Sequence, residues 1–246
     1  MQRYLVEISY RGTHYVGWQS QPNGIAVQSV LEDSLTRLLH IPTPIVGCGR
    51  TDSGVHASQY FFHFDSAEPL TDKKWYAFSK MLPRDIAYLG HEPVGDEMHA
   101  RFSAVRRSYV YRIHTEKEPF LHGLSTRLFR ANAYDQDEME KCAALLLDYG
   151  SFETFCKTGS DENHKRCTLY QSEWVFEPEV WSYHVSANRF LRGMVRLIVG
   201  ACLQVGLGKI TIDEVRDALE RRVALERPLS AAAEGLYLCG VEYERC

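Results

Sequence analysis

Apolar residues in this chain recur at two different periods, and the periods alternate along it. That alternation limits the possible folds more than any other feature. Tyr4, Val6, Ile8 and Tyr10 occupy every second position against Arg3, Leu5, Glu7 and Ser9, the spacing of a strand with one aromatic and aliphatic face. Val27, Val30, Leu31, Leu35, Leu38 and Leu39 then recur at helical spacing, and Pro42 and Pro44 close a helix of about three turns. Ser58 to Phe64 reads as a strand, Asp72 to Met81 as a short helix stopped before Pro83, and Arg107 to Ile113 as another strand. The first half is read as β-α-β-β-α-β, with one strand of that order not placed by these periods.

The second half repeats the mixture. Asp135 with Glu138 predicts a capped helix through Leu147, and Thr211 with Glu214 a second through Arg221. Trp181, Tyr183, Val185 and Ala187 alternate as a strand that runs into a helix from about Arg189 to Val205, and Leu236 to Tyr243 supplies a last strand. Each half has the pattern of a split β-α-β unit, so the expected class is α+β, with lobes at 1–115 and 116–246 forming one continuous unit. The Pro, Gly and charges of Thr115 to Gly123 mark the joint.

With 246 residues, 45% of them hydrophobic, the chain can bury a substantial core. Its seven cysteines are odd in number and form no C-x-x-C pair, which predicts free thiols and a reducing, cytoplasmic location. No apolar run reaches about eighteen residues, so neither membrane spanning nor export is expected. A net charge of -4 argues mildly against a nucleic-acid partner, but the charges are segregated. No acid falls between Met98 and Thr115, where Arg101, Arg106, Arg107 and Arg112 lie, nor from Val180 to Ile212, which holds Arg189, Arg192, Arg196 and Lys209. A basic face on an acidic body follows from that distribution.

Four stretches carry candidate chemistry. GCGRTDSGVHA (Gly47 to Ala57) places Asp52 two residues after Arg50 and between glycines. A nucleophilic aspartate needs a nearby cation and a backbone that substrate can approach, yet the same residues suit a plain turn. In NRFLRGMVRLIVGACLQVG (Asn188 to Gly206) one side carries Arg189, Arg192 and Arg196 and then continues as Val199 and Leu203. Arg196 is therefore expected to be partly buried and to need a carboxylate, for which Asp52, Glu32, Asp33, Asp65 and Glu234 all qualify. RRSYVYRI (Arg106 to Ile113) sets Tyr109 and Tyr111 among arginines, a pattern that serves base stacking beside phosphate or simply a strand core. YRGTHYVGWQSQP (Tyr10 to Pro22), with Gln19, reads as a binding loop or a packed turn. His56 and His63 are expected to orient or pack their neighbours. Cys156, His164 and Cys167 match no zinc spacing, and no phosphate-binding glycine loop occurs, so neither a metal nor a cofactor is expected.

Taken together, GRTDSGVHA, YRGTHYVGWQ, MLPRDI (Met81 to Ile86), HARFSA (His99 to Ala104), RRSYVYRI, NRFLRGMVR and AAAEGLYL (Ala231 to Leu238) resemble the motifs of the tRNA pseudouridine synthase A family in order along nearly the whole chain. The resemblance implies that family's fold, in which the mainly antiparallel sheets of the two lobes join and the active-site cleft lies between them. It implies isomerisation of uridine to pseudouridine at positions 38, 39 and 40 of the tRNA anticodon arm, by a homodimer without cofactor. It assigns Asp52 as nucleophile, Arg50 as the arginine before it, Tyr109 as the tyrosine at the target base, and Arg196 as the partner of the aspartate. Arg101, Arg106, Arg107, Arg189, Arg192 and Gln19 become candidate RNA contacts. Two positions depart from the family pattern: Arg11 stands where many relatives carry aspartate, and Ser79 where asparagine is usual.

The alternative from another class is a non-catalytic RNA-binding protein built on the same β-α-β-β-α-β order. RRSYVYRI lacks the glycine-bearing aromatic signature by which such modules stack bases. A glycosidase would require a second carboxylate, and none lies near GRTDSGVHA.

Overall fold

The structure is a computed structural model that describes residues 1–157 and 164–244. In chain order its elements are β1 (Gln2–Tyr10), α1 (Val27–Leu39), β2 (Val46–Gly47), β3 (His56–Ser66), α2 (Asp72–Met81), β4 (Ile86–Val94) and β5 (Ala104–His114). There follow β6 (Thr126–Arg127), α3 (Gln136–Leu145), β7 (Leu169–Phe176), β8 (Val180–Ala187), α4 (Met194–Gly206), α5 (Ile212–Arg221) and β9 (Leu236–Tyr243). The chain forms two compact units: Met1–Val105 with the C-terminal stretch from Tyr237, and Arg106–Leu236. The Thr115–Gly123 segment, expected as the joint, lies inside the second unit, and β9 returns the chain to the first.

In the first unit β1 lies between β3 and β4, antiparallel to both, while β9 runs parallel to β3 through His56 opposite Tyr237 and Ala57 opposite Leu238. Tyr4, Val6, Ile8 and Tyr10 are all buried, as their period requires, and Leu5 on the other face is buried too. The helix α1 buries Val27, Leu31 and Leu35, and α2 buries Trp75 and Phe78. Each such side chain contributes about 1.5–3 kcal/mol by leaving water. Trp75 meets Tyr4 edge-on at 5.1 Å and Phe64 at 6.1 Å, so this indole sits at the centre of an aromatic core. The β-α-β-β-α-β order closes at β4, an edge strand, and not at the expected strand Arg107–Ile113, which belongs to β5 in the second unit. The bulge of β4 between the partners of Glu7 and Ile8 shifts the buried side of the strand.

In the second unit β8 lies between β5 and β7, antiparallel to both, and β6 adds a short parallel pairing to β5. The expected helix from Arg189 is shorter at its start. Gly193 adopts φ +70°, a left-handed conformation that α-helical backbone cannot contain, so α4 begins at Met194 and Arg189 and Arg192 precede it. From Met194 on, α4 is buried almost all round. Gly200 lets the 229–231 segment cross it, since a Cβ there would lie 1.7 Å from the Leu229 carbonyl oxygen. At α3 the Asp135 carboxylate accepts the Glu138 backbone N–H, and at α5 the Thr211–Glu214 capping box forms in both directions. Among the described residues six cysteines are free, and no helix is long and apolar enough to cross a membrane.

Candidate active site

The loop that carries Asp52 is bound to the N-terminal loop at many points, backbone against backbone. Trp18 donates its N–H to the Thr51 carbonyl at 3.2 Å, and Gly54 donates to the Tyr15 carbonyl at 3.3 Å, as does the Ser53 hydroxyl. The Tyr10 and Thr51 hydroxyls lie 2.8 Å apart in a buried hydrogen bond. Within the loop Val55 donates to the Asp52 carbonyl at 3.1 Å, and Tyr60 donates from its hydroxyl to the Gly49 carbonyl at 2.5 Å.

Glycines make this approach possible at two points. A Cβ on Gly12 would fall 1.9 Å from the Val55 carbonyl oxygen, and one on Gly17, already at φ +107°, would fall 2.5 Å from that of Thr51. His56 orients and packs: its Nδ1 accepts the Gly12 N–H at 3.0 Å, and its ring stacks on Tyr237 at 4.6 Å.

A third segment completes the clamp. Asp85, from MLPRDI, accepts the Tyr15 hydroxyl at 2.7 Å through its carboxylate and the Arg11 N–H at 2.9 Å through its carbonyl. Burial, then the Asp85 carboxylate, pushes the Tyr15 hydroxyl pKa far above its usual value, so the phenol stays a donor. YRGTHYVGWQ, GRTDSGVHA and MLPRDI are thus one hydrogen-bonded body. Tyr10, Tyr15, Thr51 and Asp85 hold it together, and sequence reading missed their roles. A polar residue set among strand or loop neighbours gives no periodic signal of the partner it will meet.

The body leaves Asp52 half-buried at the bend, with Thr51 buried before it and Ser53 exposed after it. Arg50 is exposed and forms no ion pair among the described residues, so the cation nearest in sequence is not what fixes the loop. Gln19 is exposed and donates to the Gln28 side chain at 2.9 Å. Arg101 is also exposed, on the turn before β5.

In the second unit Tyr109 is half-buried on β5 opposite Val185, and its ring meets Phe190 edge-on at 5.0 Å. Arg106 lies 4.7 Å over the Tyr170 ring, and Arg107 donates to the Asn188 carbonyl at 3.0 Å. Arg189 pairs with the His164 ring at 3.2 Å, while the Arg192 carbonyl accepts the Lys157 N–H at 3.0 Å. Arg196 is half-buried, in keeping with the expectation from its apolar surroundings. Its Nε donates to the Ala231 carbonyl at 2.6 Å, and the Ala231 N–H returns to the Arg196 carbonyl at 3.0 Å. Tyr111, whose hydroxyl donates to the Ala232 carbonyl at 2.9 Å, is pushed up to about 12 by burial, which Arg196 and Thr126 only partly offset.

Comparison with known proteins gives a consistent answer. The family model described as tRNA pseudouridine synthase matches residues 148–244. A tRNA pseudouridine synthase A of Parabacteroides distasonis is 40% identical over 245 residues, covering 99% of this chain and 96% of that protein. The protein of the same name in Bacteroides fragilis is 41% identical over 246 residues, covering 99% and 97%, and one from Staphylococcus aureus is 37% identical over 239 residues, covering 96% and 89%. At such identity over nearly the full length of both chains, this chain belongs to the tRNA pseudouridine synthase A family.

Proposed function

We propose that this protein isomerises uridine to pseudouridine at positions 38, 39 and 40 in the anticodon stem-loop of tRNA, with Asp52 as the nucleophile. The observation that carries the reading is the end-to-end similarity to tRNA pseudouridine synthase A proteins, together with a clamped loop that presents Asp52 half-buried. In the reaction the bond between N1 of the uracil and C1′ of the ribose breaks and the freed base turns. A bond then forms between C5 and C1′, while C5 gives up its proton and N1 gains one. Asp52 adds either to C6 of the ring or to C1′ of the sugar; both routes balance and both need an ionised carboxylate.

A base within a duplex cannot reach a carboxylate, so the target nucleotide is flipped out at a cost of a few kcal/mol, which stacking on Tyr109 offsets in part. Arg196 supplies the guanidinium partner of Asp52, and Arg50 stands at the mouth of the loop. Arg106, Arg107, Arg189 and Arg192 contact RNA. On this reading no cofactor enters the chemistry, and a cytoplasmic homodimer provides the surface a large polyanion requires.

The test is Asp52→Asn. Unmodified tRNA transcript bound by the variant as tightly as by wild type, with no pseudouridine formed, is the expected result. Retained turnover would overturn the assignment of the nucleophile. Tight binding by the wild-type protein without any pseudouridine would instead support the RNA-binding alternative.

A further inference from the structure

HARFSA contributes a feature that the reaction described above does not use. Phe102 lies on the turn before β5 with 77% of its surface in solvent. Single exposed apolar residues are common and need no purpose, but this one is held with unusual care. The His99 Nδ1 accepts two backbone N–H groups, from Arg101 at 3.1 Å and Phe102 at 3.2 Å. The His99 N–H goes to the Ser103 hydroxyl at 3.0 Å, and the Ser103 N–H returns to the His99 carbonyl at 2.9 Å. Ala100 is tied from both sides: its N–H to His63 Nδ1 at 3.0 Å and its carbonyl to the Tyr243 hydroxyl at 2.9 Å.

The rings continue this order outward. His63 is buried; His99 meets it at 4.9 Å between centroids, and Phe102 meets His99 at 4.4 Å, tilted by 33°. In both imidazoles Nδ1 is an acceptor, so both are neutral with the proton on Nε2, and burial disfavours charging either one. The Arg101 guanidinium lies 5.6 Å from the Phe102 ring. A neutral aromatic ladder thus runs from the core to the surface, ends in an exposed ring, and has a cation beside it.

We infer that Phe102 is a stacking platform for an unpaired base of the tRNA, with Arg101 engaging the phosphate next to that base. The inference rests on the reading of this protein as a tRNA-modifying enzyme. Its chemistry is general: any base offers a π-face to a fixed aromatic ring, and a neighbouring arginine neutralises the backbone. The ordered turn means that little conformational freedom is lost when the base arrives.

The experiment is fluorescence anisotropy with unmodified tRNA at fixed salt, for wild type, Phe102→Ala, Phe102→Leu and Phe102→Trp, each checked for an unchanged melting transition. Phe102→Ala is expected to raise Kd by about 5- to 100-fold, and Phe102→Trp to stay within about threefold. Phe102→Leu, which keeps apolar bulk and lacks a π-face, is expected to weaken binding at least about fivefold. Arg101→Gln should lower the slope of log Kd against log salt by about one. Wild-type affinity in Phe102→Leu or Phe102→Ala would overturn the inference. So would an effect confined to self-association of the protein, which would mark the ring as a protein contact. Pseudouridine formation by the wild type is scored separately: its absence would defeat the catalytic reading and leave the affinity ranking to decide this one.

Discussion

The hydroxyls of Tyr10 and Thr51, 2.8 Å apart and buried, join the end of the first strand to the residue immediately before Asp52. Tyr10→Phe removes one partner and leaves the Thr51 hydroxyl unsatisfied, at a cost of about 1–3 kcal/mol. For a chain of this size that lowers the melting temperature by roughly 2–4 °C per kcal/mol. If Asp52 is the nucleophile, as proposed, and the bond only positions it, kcat should fall by about tenfold while KM moves little. Steady-state kinetics on tRNA transcripts read the split, and a change in KM alone would show that the contact does not position the loop.

Gly17 makes a sharper case. Its φ of +107° and the 2.5 Å that a Cβ would leave to the Thr51 carbonyl mean that Gly17→Ala must break the Trp18–Thr51 backbone bond or strain the loop. Two or more kcal/mol of destabilisation is expected, about the range for strained backbone and lost hydrogen bonds combined. Gly49→Ala is the control, since a Cβ there meets nothing within 4 Å. Its unfolding free energy should stay within about 0.5 kcal/mol of wild type. Equal losses in the two variants, measured by denaturant titration, would refute the steric account.

These two glycines also show what the sequence could and could not reveal. The elements with clean periods were legible: the last strand, Leu236–Tyr243, and the α2 helix, Asp72–Met81, fall where alternation and helical spacing put them. The strands β4 and β7 were not, because each carries a bulge that resets the period of two, at the partners of Glu7/Ile8 and between Leu169 and Gln171. The start of α4 was misjudged because an apolar helical stripe can be drawn through Gly193, while the left-handed φ that ends it is a property of the folded backbone. Within the candidate site, residue types and motif order single out Asp52 as the proposed nucleophile. That Gly12 and Gly17 exist to admit Val55 and Thr51 was invisible, since a close approach between distant segments leaves no mark on spacing.

Arg196 is tied to the 229–231 segment by bonds in both directions, and that segment crosses α4 at Gly200. A methyl group at Gly200 cannot fit 1.7 Å from the Leu229 carbonyl oxygen, so Gly200→Ala displaces the segment. A loss of about 1–3 kcal/mol or more is expected from overpacking. If the Ala231 carbonyl fixes the guanidinium, pseudouridine formation should fall further than the unfolded fraction explains. Activity per folded molecule, with the folded fraction taken from circular dichroism, separates the two effects.

The turn that carries Phe102 should depend on pH through His63. Burial, then the charge of Arg3 and the neighbouring His99, holds the His63 pKa down to about 4 from 6.5, and Asp65 pulls only weakly the other way. The unfolded chain therefore takes up the proton before the folded one does. Stability from this ring is fully present above about pH 6.5 and declines as pH falls toward about 4; below that, the folded ring is protonated too and the loss levels off. The expected loss is of order 1 kcal/mol once solvent screening near the surface is allowed for. His63→Gln has no such proton to take up, so its denaturant midpoint should fall less steeply than that of wild type between pH 6.5 and 4.5. Parallel slopes would mean that another group carries the acid sensitivity.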